Sequence, residues 1–334
     1  MAKKSSSLLL LATIILLHGC ALDNTKRVHA QMFLKVPLEQ EGAIECFAEG
    51  KHYGILPVRE QTFLSGDDSF HKMHHHGVAI ESEVMAYRIY FDKRQTIDVY
   101  AKKTPRLELA ESLWYPNDEQ LAQGFGDDVL KVGSTIGVGS VRPWSREKQK
   151  LENMDKFEKR TQRIVSQSEN AATAEVEVRG LQTEEGTTDM LTRYTIEAGH
   201  RDMLCQVYIS DYIGNLVTGV QKIGDGESMA KEGESTLLAS WGTDWPVNDT
   251  VKYGKETVGI AVAVQEEYAG ETVKAERQTL VYLTPRQNDK AEMPEGYKYY
   301  AEFRLTTVAM KETTPPSKSA EEFYEYVKVW SEKL

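Results

Sequence analysis

The feature that most restricts how this chain can fold is a two-residue alternation of apolar and polar side chains. It recurs in short runs along most of the sequence, at residues 78–82, 84–91, 96–100, 136–141, 174–178, 190–196, 204–210, 216–223, 257–266, 279–283 and 299–306. A period of two predicts strands with one buried face. Turn residues separate the runs and helices do not alternate with them, so the pattern predicts a mainly β fold, a large antiparallel β-sandwich.

Two helices are predicted among and after these strands. The first begins at the capping residue Asn117 and ends near Gly124. The second begins at the capping box of Ser319 and Glu322 and continues with one apolar stripe. That stripe consists of Phe323, Val327 and Trp330. The C-terminal helix is therefore predicted to pack against the sandwich.

Nothing in the sequence resembles a linker between two domains. The most charged stretches, residues 146–163 and 182–188, lie between strand-like runs and are predicted to be loops. We therefore expect one β-sandwich domain over residues 21–334.

The N-terminus predicts export. Lys3 and Lys4 precede ten apolar or small residues, 8–17, a run too short to span a bilayer as a stable helix. Cys20 directly follows Gly19, which is typical of a bacterial lipobox, whose cysteine is acylated and becomes the mature N-terminus. Residues 1–20 are interpreted as a lipoprotein signal peptide, which predicts a lipid-anchored protein of the cell envelope, on its periplasmic or outer-membrane face. An ordinary secretory signal with an incidental cysteine is the alternative.

The charge balance argues against nucleic acid as a partner. The formal net charge of −11 becomes −13 without residues 1–20, because that segment contains two lysines and no acidic residue. Nucleic-acid phosphates require a basic surface. Binding to anionic lipid is also disfavoured, so the predicted contact with the membrane is the lipid anchor at Cys20.

Two cysteines, Cys46 and Cys205, remain after the signal peptide, and both lie in strand-like runs. They can form a disulfide in an oxidising compartment or stay as two buried small hydrophobic residues. The sequence contains no CxxC pair and no thiolate-zinc spacing. No cofactor is predicted.

The hairpin at residues 84–100 collects an unusual set of side chains on one face. A three-residue turn would pair Tyr90 with Asp98 and Arg88 with Tyr100. The polar face would then carry Arg88, Tyr90, Asp92, Asp98 and Tyr100. Aromatic rings stack on sugar faces, charged groups bind hydroxyls, and an arginine pairs with a uronate carboxylate. This face is predicted to bind a sugar, with ordinary cross-strand surface pairs as the alternative.

Two segments resemble a known family. They are HHHGVAIESEVMAYRIYFDKRQTIDVYAKK, residues 74–103, and LWYPNDEQLAQGFGDDVLKVGSTIGVGS, residues 113–140. On these segments, and over most of the mature chain, the sequence resembles family 4861 of domains of unknown function, from Bacteroidetes-type bacteria. The resemblance implies an exported protein that accompanies polysaccharide-degradation systems, especially for pectin and other uronate-rich glycans. It also implies a galactose-mutarotase-like supersandwich, and it carries over no catalytic roles.

Four of the eight histidines lie just before the hairpin, at positions 71, 74, 75 and 76. Adjacent residues of an extended segment diverge, so no metal site is predicted there. In lyase chemistry a histidine or tyrosine abstracts the proton beside a uronate carboxylate, and an arginine neutralises that carboxylate. His75, His76, Tyr90 and Arg88 are therefore the candidate catalytic residues. A loop that packs its imidazoles structurally is the alternative.

Further candidates for substrate binding follow the hairpin. Asp127 and Asp128 lie beside two glycines and precede Lys131. Paired carboxylates suit glycoside hydrolysis or calcium, although the same residues are common in turns. Trp114 and Tyr115 lie next to turn residues, where they suit either a sugar-stacking platform or edge packing over the sandwich.

These features predict an exported lipoprotein of polysaccharide breakdown, whose ligand is an oligosaccharide or polysaccharide. We expect a lyase or hydrolase that acts on uronate-containing oligosaccharides such as pectin fragments. A non-catalytic carbohydrate-binding lipoprotein and a structural envelope protein are the alternatives. If Arg88 lies on an open ligand face, its replacement by alanine is expected to leave folding nearly intact.

Overall fold

The computed structural model describes residues 26–48, 50–287 and 293–334. The predicted signal peptide and its Cys20 lie outside these residues. About half of the described chain consists of β-strands, and the longest helix is at the C-terminal end.

The strands of the described residues are, in chain order, β1 (Val28–Gln31), β2 (Phe33–Val36), β3 (Ile44–Ala48), β4 (Lys51–Pro57), β5 (Glu60–Leu64), β6 (Gly77–Ser82), β7 (Met85–Tyr90), β8 (Ile97–Ala101), β9 (Asp127–Asp128), β10 (Arg142–Ser145), β11 (Lys150–Leu151), β12 (Lys159–Gln167), β13 (Ala171–Thr183), β14 (Gly186–Glu197), β15 (Met203–Ile209), β16 (Leu216–Gln221), β17 (Glu227–Lys231), β18 (Ser235–Asp244), β19 (Glu256–Gln265), β20 (Ala269–Ala275), β21 (Gln278–Leu283), β22 (Arg286–Gln287) and β23 (Tyr299–Ala309). The α-helices are α1 (Ser69–Lys72), α2 (Leu109–Ser112), α3 (Asp118–Ala122) and α4 (Ala320–Ser331).

These strands form one large sheet and three smaller ones. The ten-stranded sheet has the order β17-β18-β19-β23-β15-β14-β13-β12-β5, with β22 paired to β23. The five-stranded sheets have the orders β1-β6-β7-β8-β9 and β11-β10-β16-β21-β20, and the three-stranded sheet has the order β2-β4-β3. Single bridges, from Ile97 to Gly137 and from Val138 to Val220, join the two five-stranded sheets. The two five-stranded sheets therefore form one layer.

The main core lies between this layer and the ten-stranded sheet. Val176 of β13 belongs to the same buried cluster as Ile89 of β7 and Val220 of β16. Each strand turns every second side chain to one face, so a single alternating run can fill one side of this core. The prediction of a mainly β fold with packed antiparallel sheets is confirmed.

The predicted C-terminal helix is also confirmed, as α4. The Ser319 hydroxyl accepts a hydrogen bond from the Glu322 amide at 3.2 Å, which satisfies a free donor at the start of the helix. Phe323 and Val327 are buried against β18 and β19, on the outer face of the ten-stranded sheet, and Trp330 packs at the margin of that contact. In the described part of the chain, no helix combines the length and the apolar character needed to cross a bilayer.

The two charged stretches, residues 146–163 and 182–188, contain more β-strand than predicted. The end of residues 146–163 belongs to β12, which pairs with both β5 and β13, so the loop prediction is wrong there. Residues 182–188 form the ends of β13 and β14 and the tight turn between them. Charged side chains can enter these strands because an antiparallel sheet can leave one face open to water.

Candidate functional site

The strands β7 and β8 form the predicted hairpin with a different register. Arg88 lies opposite Asp98, and Ala86 lies opposite Tyr100. The predicted pairs, Tyr90 with Asp98 and Arg88 with Tyr100, are therefore wrong by two residues. Because the error is an even number of residues, every side chain keeps its predicted face. Arg88, Tyr90, Asp98 and Tyr100 share one face of this sheet.

The turn between the strands is longer than three residues, and Asp92 organises it. The amide of Tyr90 donates to the carbonyl of Thr96 at 3.0 Å. The Asp92 carboxylate accepts hydrogen bonds from the amides of Arg94 and Gln95 at 2.8 and 3.0 Å, and it forms a salt bridge with the Arg94 side chain at 2.7 Å. Asp92 is thus a turn residue, which corrects its predicted place on the polar face.

The face that carries Arg88 is covered by residues 102–126, here called the covering segment. Its start is anchored by the buried Lys102, whose ammonium group donates to the Glu81 carboxylate. The same carboxylate accepts hydrogen bonds from the amides of Glu108 and Leu109 at 3.0 and 2.9 Å. A buried charged pair is tolerated when such additional hydrogen bonds satisfy it. This anchor fixes the covering segment over the hairpin.

Tyr100 and Trp114 are packed between the hairpin and the covering segment. Neither side chain has exposed surface, and their ring centroids are 5.5 Å apart. The Tyr100 hydroxyl donates to the Glu108 carboxylate at 2.8 Å. Because a residue without accessible surface cannot stack on a sugar, the structure corrects the predicted ligand contact for both. Tyr115 is half-buried at the rim.

Arg88 is the centre of the site and is only 3% exposed. Its Nη2 donates to an oxygen of Asp98 at 2.5 Å and to an oxygen of Asp128 at 3.3 Å. The hydroxyls of Tyr90 and Tyr115 accept hydrogen bonds from Nη2 and Nη1 at 2.7 and 3.2 Å. The Arg88 cluster is defined as Arg88, Tyr90, Asp98, Trp114, Tyr115 and Asp128.

The two carboxylates of the cluster differ in exposure. The Asp98 side chain is 2% exposed and accepts a further hydrogen bond from the Tyr90 hydroxyl at 2.8 Å, whereas the Asp128 side chain is 13% exposed. Burial and then the charge of Asp98 raise the pKa of Asp128 well above its usual value, although Arg88 opposes the change. Asp128 therefore keeps its proton at a pH where an ordinary aspartate has lost it, and it reaches solvent.

The histidine run forms a short 3-10 turn beside the cluster. His74 is hydrogen-bonded to the carbonyl of Leu113 at 2.9 Å. His75 is fully buried, and burial lowers its pKa well below the usual value, so its imidazole is neutral at pH 7. His76 is 7% exposed and stacks on Phe70, with ring centroids 3.8 Å apart. This arrangement matches the alternative of a packed loop.

Two pairs of adjacent residues hold left-handed backbone where the histidine turn meets the covering segment. The φ angles are 39° and 64° at His75 and His76, and 51° and 74° at Leu113 and Trp114. Residues other than glycine adopt such angles at a cost of about 1–3 kcal/mol each. This strain persists only where the surrounding fold enforces it, and it concentrates at functional sites.

Three of the sixteen buried side-chain polar atoms without a partner among the described residues also lie here. They are Nδ1 of His75, Nε of Arg88 and Nε1 of Trp114. The rings of His75 and Trp114 are 6.4 Å apart, and the Arg88 guanidinium carbon lies 4.5 Å from the Trp114 ring. Each unpartnered group costs about 1–3 kcal/mol, and folds keep few of them. Strain and unpartnered groups together mark the Arg88 cluster as the candidate functional site.

Two predicted binding residues lie outside the cluster. Successive residues of a strand point to opposite faces, so Asp127 of β9 faces away from Asp128. Burial raises the pKa of Asp127, and the nearby Lys311 opposes this change. The Lys131 side chain is exposed, and its backbone carbonyl accepts a hydrogen bond from Gln221 at 3.2 Å.

A cleft with a volume of about 430 Å³ opens next to the Arg88 cluster. It is lined by two phenylalanines, Phe70 and Phe157, by the turn of the β7–β8 hairpin, and by the buried Arg160. The ring centroids of Phe70 and Tyr90 are 5.6 Å apart. This cleft, here called the Phe70 cleft, is therefore connected to the Arg88 cluster through the packing of Phe70 against Tyr90.

The sequence pattern does not predict this cleft, because it indicates a loop at residues 146–163. Phe157 and Arg160 converge on Phe70 only because β12 pairs with β5. Neither a spacing nor a motif in the sequence connects these residues. The mixed aromatic and charged composition of residues 157–163 was the signal present, and it also fits a solvated loop.

A second group of arginines and carboxylates lies on the outer face of the ten-stranded sheet. Arg163 donates to Glu175 at 3.1 Å and to Glu177 at 2.9 Å. Arg193 donates to Glu175 at 2.7 Å, and Arg179 forms a salt bridge with Glu177 at 2.6 Å. These five residues are called the arginine–glutamate row. In β13 the two glutamates alternate with core residues, so a face assignment of that run would have predicted their common face.

Cys46 and Cys205 are free, buried thiols on β3 and β15. Burial raises the pKa of both, and a buried thiol with a raised pKa is a poor nucleophile. In the structure the two cysteines are therefore buried small residues and do not form a disulfide. Across the described ranges, no group of three or more His, Cys, Asp or Glu side chains is placed to hold a metal ion.

The chain belongs to the family described as "Domain of unknown function (DUF4861)", whose model matches residues 21–334. The family predicted from residues 74–103 and 113–140 is confirmed. No curated protein matches the chain.

Three solved structures are distantly similar to this fold. A protein assigned as a kojibiose phosphorylase, from the human microbiome, has a TM-score of 0.39 and 11% identity, and the match covers 75% of this chain and 32% of that one. A protein of glycosyl hydrolase family 38 from Enterococcus faecalis has a TM-score of 0.38 and 8% identity, over 91% of this chain and 41% of that one. The chain thus spans less than half of either protein.

The third structure is of similar size. It is a protein assigned as an aldose 1-epimerase, from Klebsiella pneumoniae, with a TM-score of 0.38 and 7% identity, over 91% of this chain and 96% of that one. Similarity at this level does not transfer an activity or a site to this chain.

Proposed function

We propose that this protein is a glycan-processing hydrolase of the cell envelope, anchored by a lipid on Cys20 and acting on uronate-containing oligosaccharides such as pectin fragments. The observation that carries the proposal is the placement of two carboxylates, Asp98 and Asp128, on one buried arginine, Arg88. Of the two, Asp128 has the larger exposed surface and the raised pKa. This combination is what a general acid requires.

In this proposal Asp128 donates its proton to the oxygen that leaves the scissile glycosidic bond. As the bond between the anomeric carbon and that oxygen breaks, a water molecule adds its hydroxyl to the anomeric carbon, and the proton of that water restores the protonated Asp128. Asp98 acts through its charge, because a neighbouring carboxylate makes ionisation of Asp128 less favourable. Arg88 is a positioning residue that holds both carboxylates.

The geometry favours hydrolysis over β-elimination. A lyase needs a base that loses its proton easily, but burial raises the pKa of Tyr90 well above its usual value and its hydroxyl donates to Asp98. His75 has no exposed surface, and His76 is stacked on Phe70. The Nη2 of Arg88 is already occupied by Asp98 and Asp128, so it is not available to a substrate carboxylate.

The test is mass spectrometry of pectic, ulvan-type and neutral oligosaccharides after incubation with the protein lacking residues 1–20. Hydrolysis adds the mass of water to the fragments, whereas elimination leaves an unsaturated end. Asp128→Asn should abolish product formation, and Asp211→Asn, at an exposed carboxylate outside the cluster, should not. Unsaturated products, or full turnover by Asp128→Asn, would contradict the proposal.

The location is a separate part of the proposal, supported by residues 1–20 of the sequence. The expected mature N-terminus is Cys20 carrying acyl chains, and the protein should fractionate with membranes. Cys20→Ala should release it into the soluble fraction. Intact-mass measurement of the purified protein distinguishes acylated Cys20 from an N-terminus produced by an ordinary signal peptidase.

A non-catalytic carbohydrate-binding lipoprotein is the second candidate. The observation that favours it is the Phe70 cleft, which is lined by Phe70 and Phe157 and by neither Asp98 nor Asp128. The burial of the Arg88 cluster, in which Asp98 and Trp114 have almost no accessible surface, instead favours a structural envelope protein. Oligosaccharides that bind the protein and are recovered unchanged would support this candidate over the hydrolase.

A further inference from the structure

Arg160 is a buried cation that forms no salt bridge with any carboxylate of the described residues. It lies on β12 and is 1% exposed. Its Nη2 donates to the carbonyl of Met154 at 2.7 Å, and its guanidinium carbon lies 4.5 Å from the Phe157 ring centroid. Among the described residues its Nε has no hydrogen-bond partner, and the carboxylates of Asp92 and Asp155, whose charges act on it, form no salt bridge with it.

An arginine in this position is costly to the fold. Burial of a cation costs several kcal/mol unless an anion and hydrogen bonds compensate for it. Accordingly, burial lowers the pKa of Arg160 to about 10, although the charges of Asp92 and Asp155 oppose this change. Arg163, three residues later on the same strand, shows the usual solution, because it is bonded to Glu175 and Glu177.

Arg160 faces the Phe70 cleft, which has room for a ligand. The charged groups around the cleft are the aspartates 67, 68, 92 and 155, the cations Lys93 and Arg94, and His71. Asp92 is neutralised by Arg94 at 2.7 Å, and Asp68 is hydrogen-bonded to His71 at 2.9 Å. The cleft thus combines one unpaired buried cation, carboxylates at its rim, and two aromatic rings.

We infer that the Phe70 cleft is a subsite for a carboxylate-bearing sugar whose carboxylate pairs with Arg160. The rim carboxylates would accept hydrogen bonds from sugar hydroxyls, and Phe70 and Phe157 would pack against an apolar face of the ring. The rim aspartates repel any anion, but a sugar acid can offset this repulsion with hydroxyls that donate hydrogen bonds to them, whereas an inorganic anion has no such donors. The inference rests on the proposed function for its substrate class, and it places substrate recognition on residues separate from the proposed acid.

The position of the Phe70 cleft fits this separation of substrate recognition from the proposed acid. Phe70 lines the cleft on one side and stacks on His76 on the other, and its ring centroid is 5.6 Å from that of Tyr90. A sugar unit held against Phe70 would lie beside the Arg88 cluster. A longer oligosaccharide would then have one unit recognised by its charge while a neighbouring bond approaches Asp128.

The experiment is a calorimetric titration of the protein lacking residues 1–20 with a trimer of galacturonic acid, with a neutral trimer of galactose, and with inorganic sulfate. We expect the acidic trimer to bind at least tenfold more tightly than the neutral one. Arg160→Met should remove this preference. Lys159→Gln removes an exposed cation of the same strand outside the cleft and should not change it.

The melting temperature of the Arg160 variants distinguishes a binding role of Arg160 from a structural one. Because Arg160 lacks an anionic partner, Arg160→Met should leave the melting temperature nearly unchanged while binding is lost. If that variant does not fold, Arg160→Lys keeps the charge but loses the planar fork, and Phe157→Ala removes one aromatic wall. Each of these should weaken binding of the acidic trimer by at least threefold.

Three results would overturn the inference: equal affinity for the acidic and neutral trimers, unchanged binding by folded Arg160 variants, or displacement of the acidic trimer by sulfate at comparable concentration. Asp128→Asn keeps the two proposals separable. If that variant binds the acidic trimer normally and the wild type does not cleave it, the hydrolase proposal fails and the subsite stands. If the wild type cleaves the trimer but Arg160→Met is fully active and binds normally, the subsite fails and the hydrolase proposal stands.

Discussion

The Arg88 cluster and the arginine–glutamate row use the same residue types in different surroundings. In the row, Arg163 and Arg193 lie on regular strands, are 27% and 31% exposed, and share the carboxylate of Glu175. In the cluster, Arg88 is nearly inaccessible and holds two carboxylates, one of which has a raised pKa. The row therefore resembles the solvated face of a sheet, and the cluster resembles a constrained internal site.

The difference shows which signs of function are informative. Salt bridges occur in both regions, so their presence alone does not separate a site from a stabilising network. Left-handed backbone at His75, His76, Leu113 and Trp114, together with unpartnered buried atoms, occurs at the cluster. These features lower stability. A fold retains them where a requirement other than stability, such as function, selects for them.

The largest expected effect is the loss of activity in Asp128→Asn. Removal of a general acid typically lowers turnover by about 10²–10⁴-fold, because the leaving oxygen then departs without a proton. Glu177→Gln, the matching carboxylate-to-amide change in the row, should leave turnover within about twofold of wild type. Initial rates on a cleaved oligosaccharide measure both, and similar losses in the two variants would remove the distinction between the regions.

The second effect concerns stability. Arg88→Met leaves Asp98 and Asp128 buried without their cation, and breaking such a buried network costs about 3–5 kcal/mol. This reverses the expectation, drawn from an open ligand face, that loss of Arg88 leaves folding nearly intact. Urea unfolding measures the change in the free energy of unfolding. A loss below about 1 kcal/mol would show that the cluster is more solvated than its burial indicates.

The third effect depends on pH. The pKa of His75 is lowered in the folded protein, so below about pH 6.5 the unfolded chain binds a proton that the folded chain does not. The contribution of His75 to stability is therefore lost as pH falls below 6.5, by up to about 1.4 kcal/mol per pH unit. His75→Asn, which tolerates left-handed backbone, should flatten this part of the stability curve.

The exposed His71 supplies the control for that measurement. His71→Asn makes the same substitution in a neighbouring histidine whose side chain lies at the surface. Unfolding at several pH values in this range measures the slopes. If His75→Asn and the wild type show equal slopes, His75 is not the group that the folded structure keeps neutral.

The smallest effect is expected in the row. Arg193→Gln should cost about 0.2–1 kcal/mol, because the arginine is partly exposed and Glu175 keeps its bond to Arg163. The same urea titration measures it. A loss as large as that of Arg88→Met would show that the two regions contribute equally to the fold.

The parts of the site that the sequence predicted are those that depend on local periodicity. The alternation in residues 84–100 assigned Arg88, Tyr90 and Asp98 to one face, and an error of two residues in register did not change that assignment. The same local logic predicted α4 from its capping residue and its apolar stripe. Neither result needs information about distant segments.

The sequence-based predictions that failed concern contacts between segments that are distant in the chain. The sequence did not indicate that residues 102–126 would cover the Arg88 face and bury Tyr100 and Trp114. It also did not indicate that β12 would bring Arg160 to Phe70. A charged residue in an isolated run has the same pattern whether that run is a loop or a strand of an open sheet.

The sequence alone thus determined the strand-rich class of the fold, the faces of its clearest hairpin, the C-terminal helix and the family. Only the tertiary structure decided which polar face is covered, which carboxylate keeps access to solvent, and which buried arginine lines the Phe70 cleft. The physical reason is that alternation and capping are properties of neighbouring residues. Burial and pKa, in contrast, arise from segments that meet only when the sheets pack.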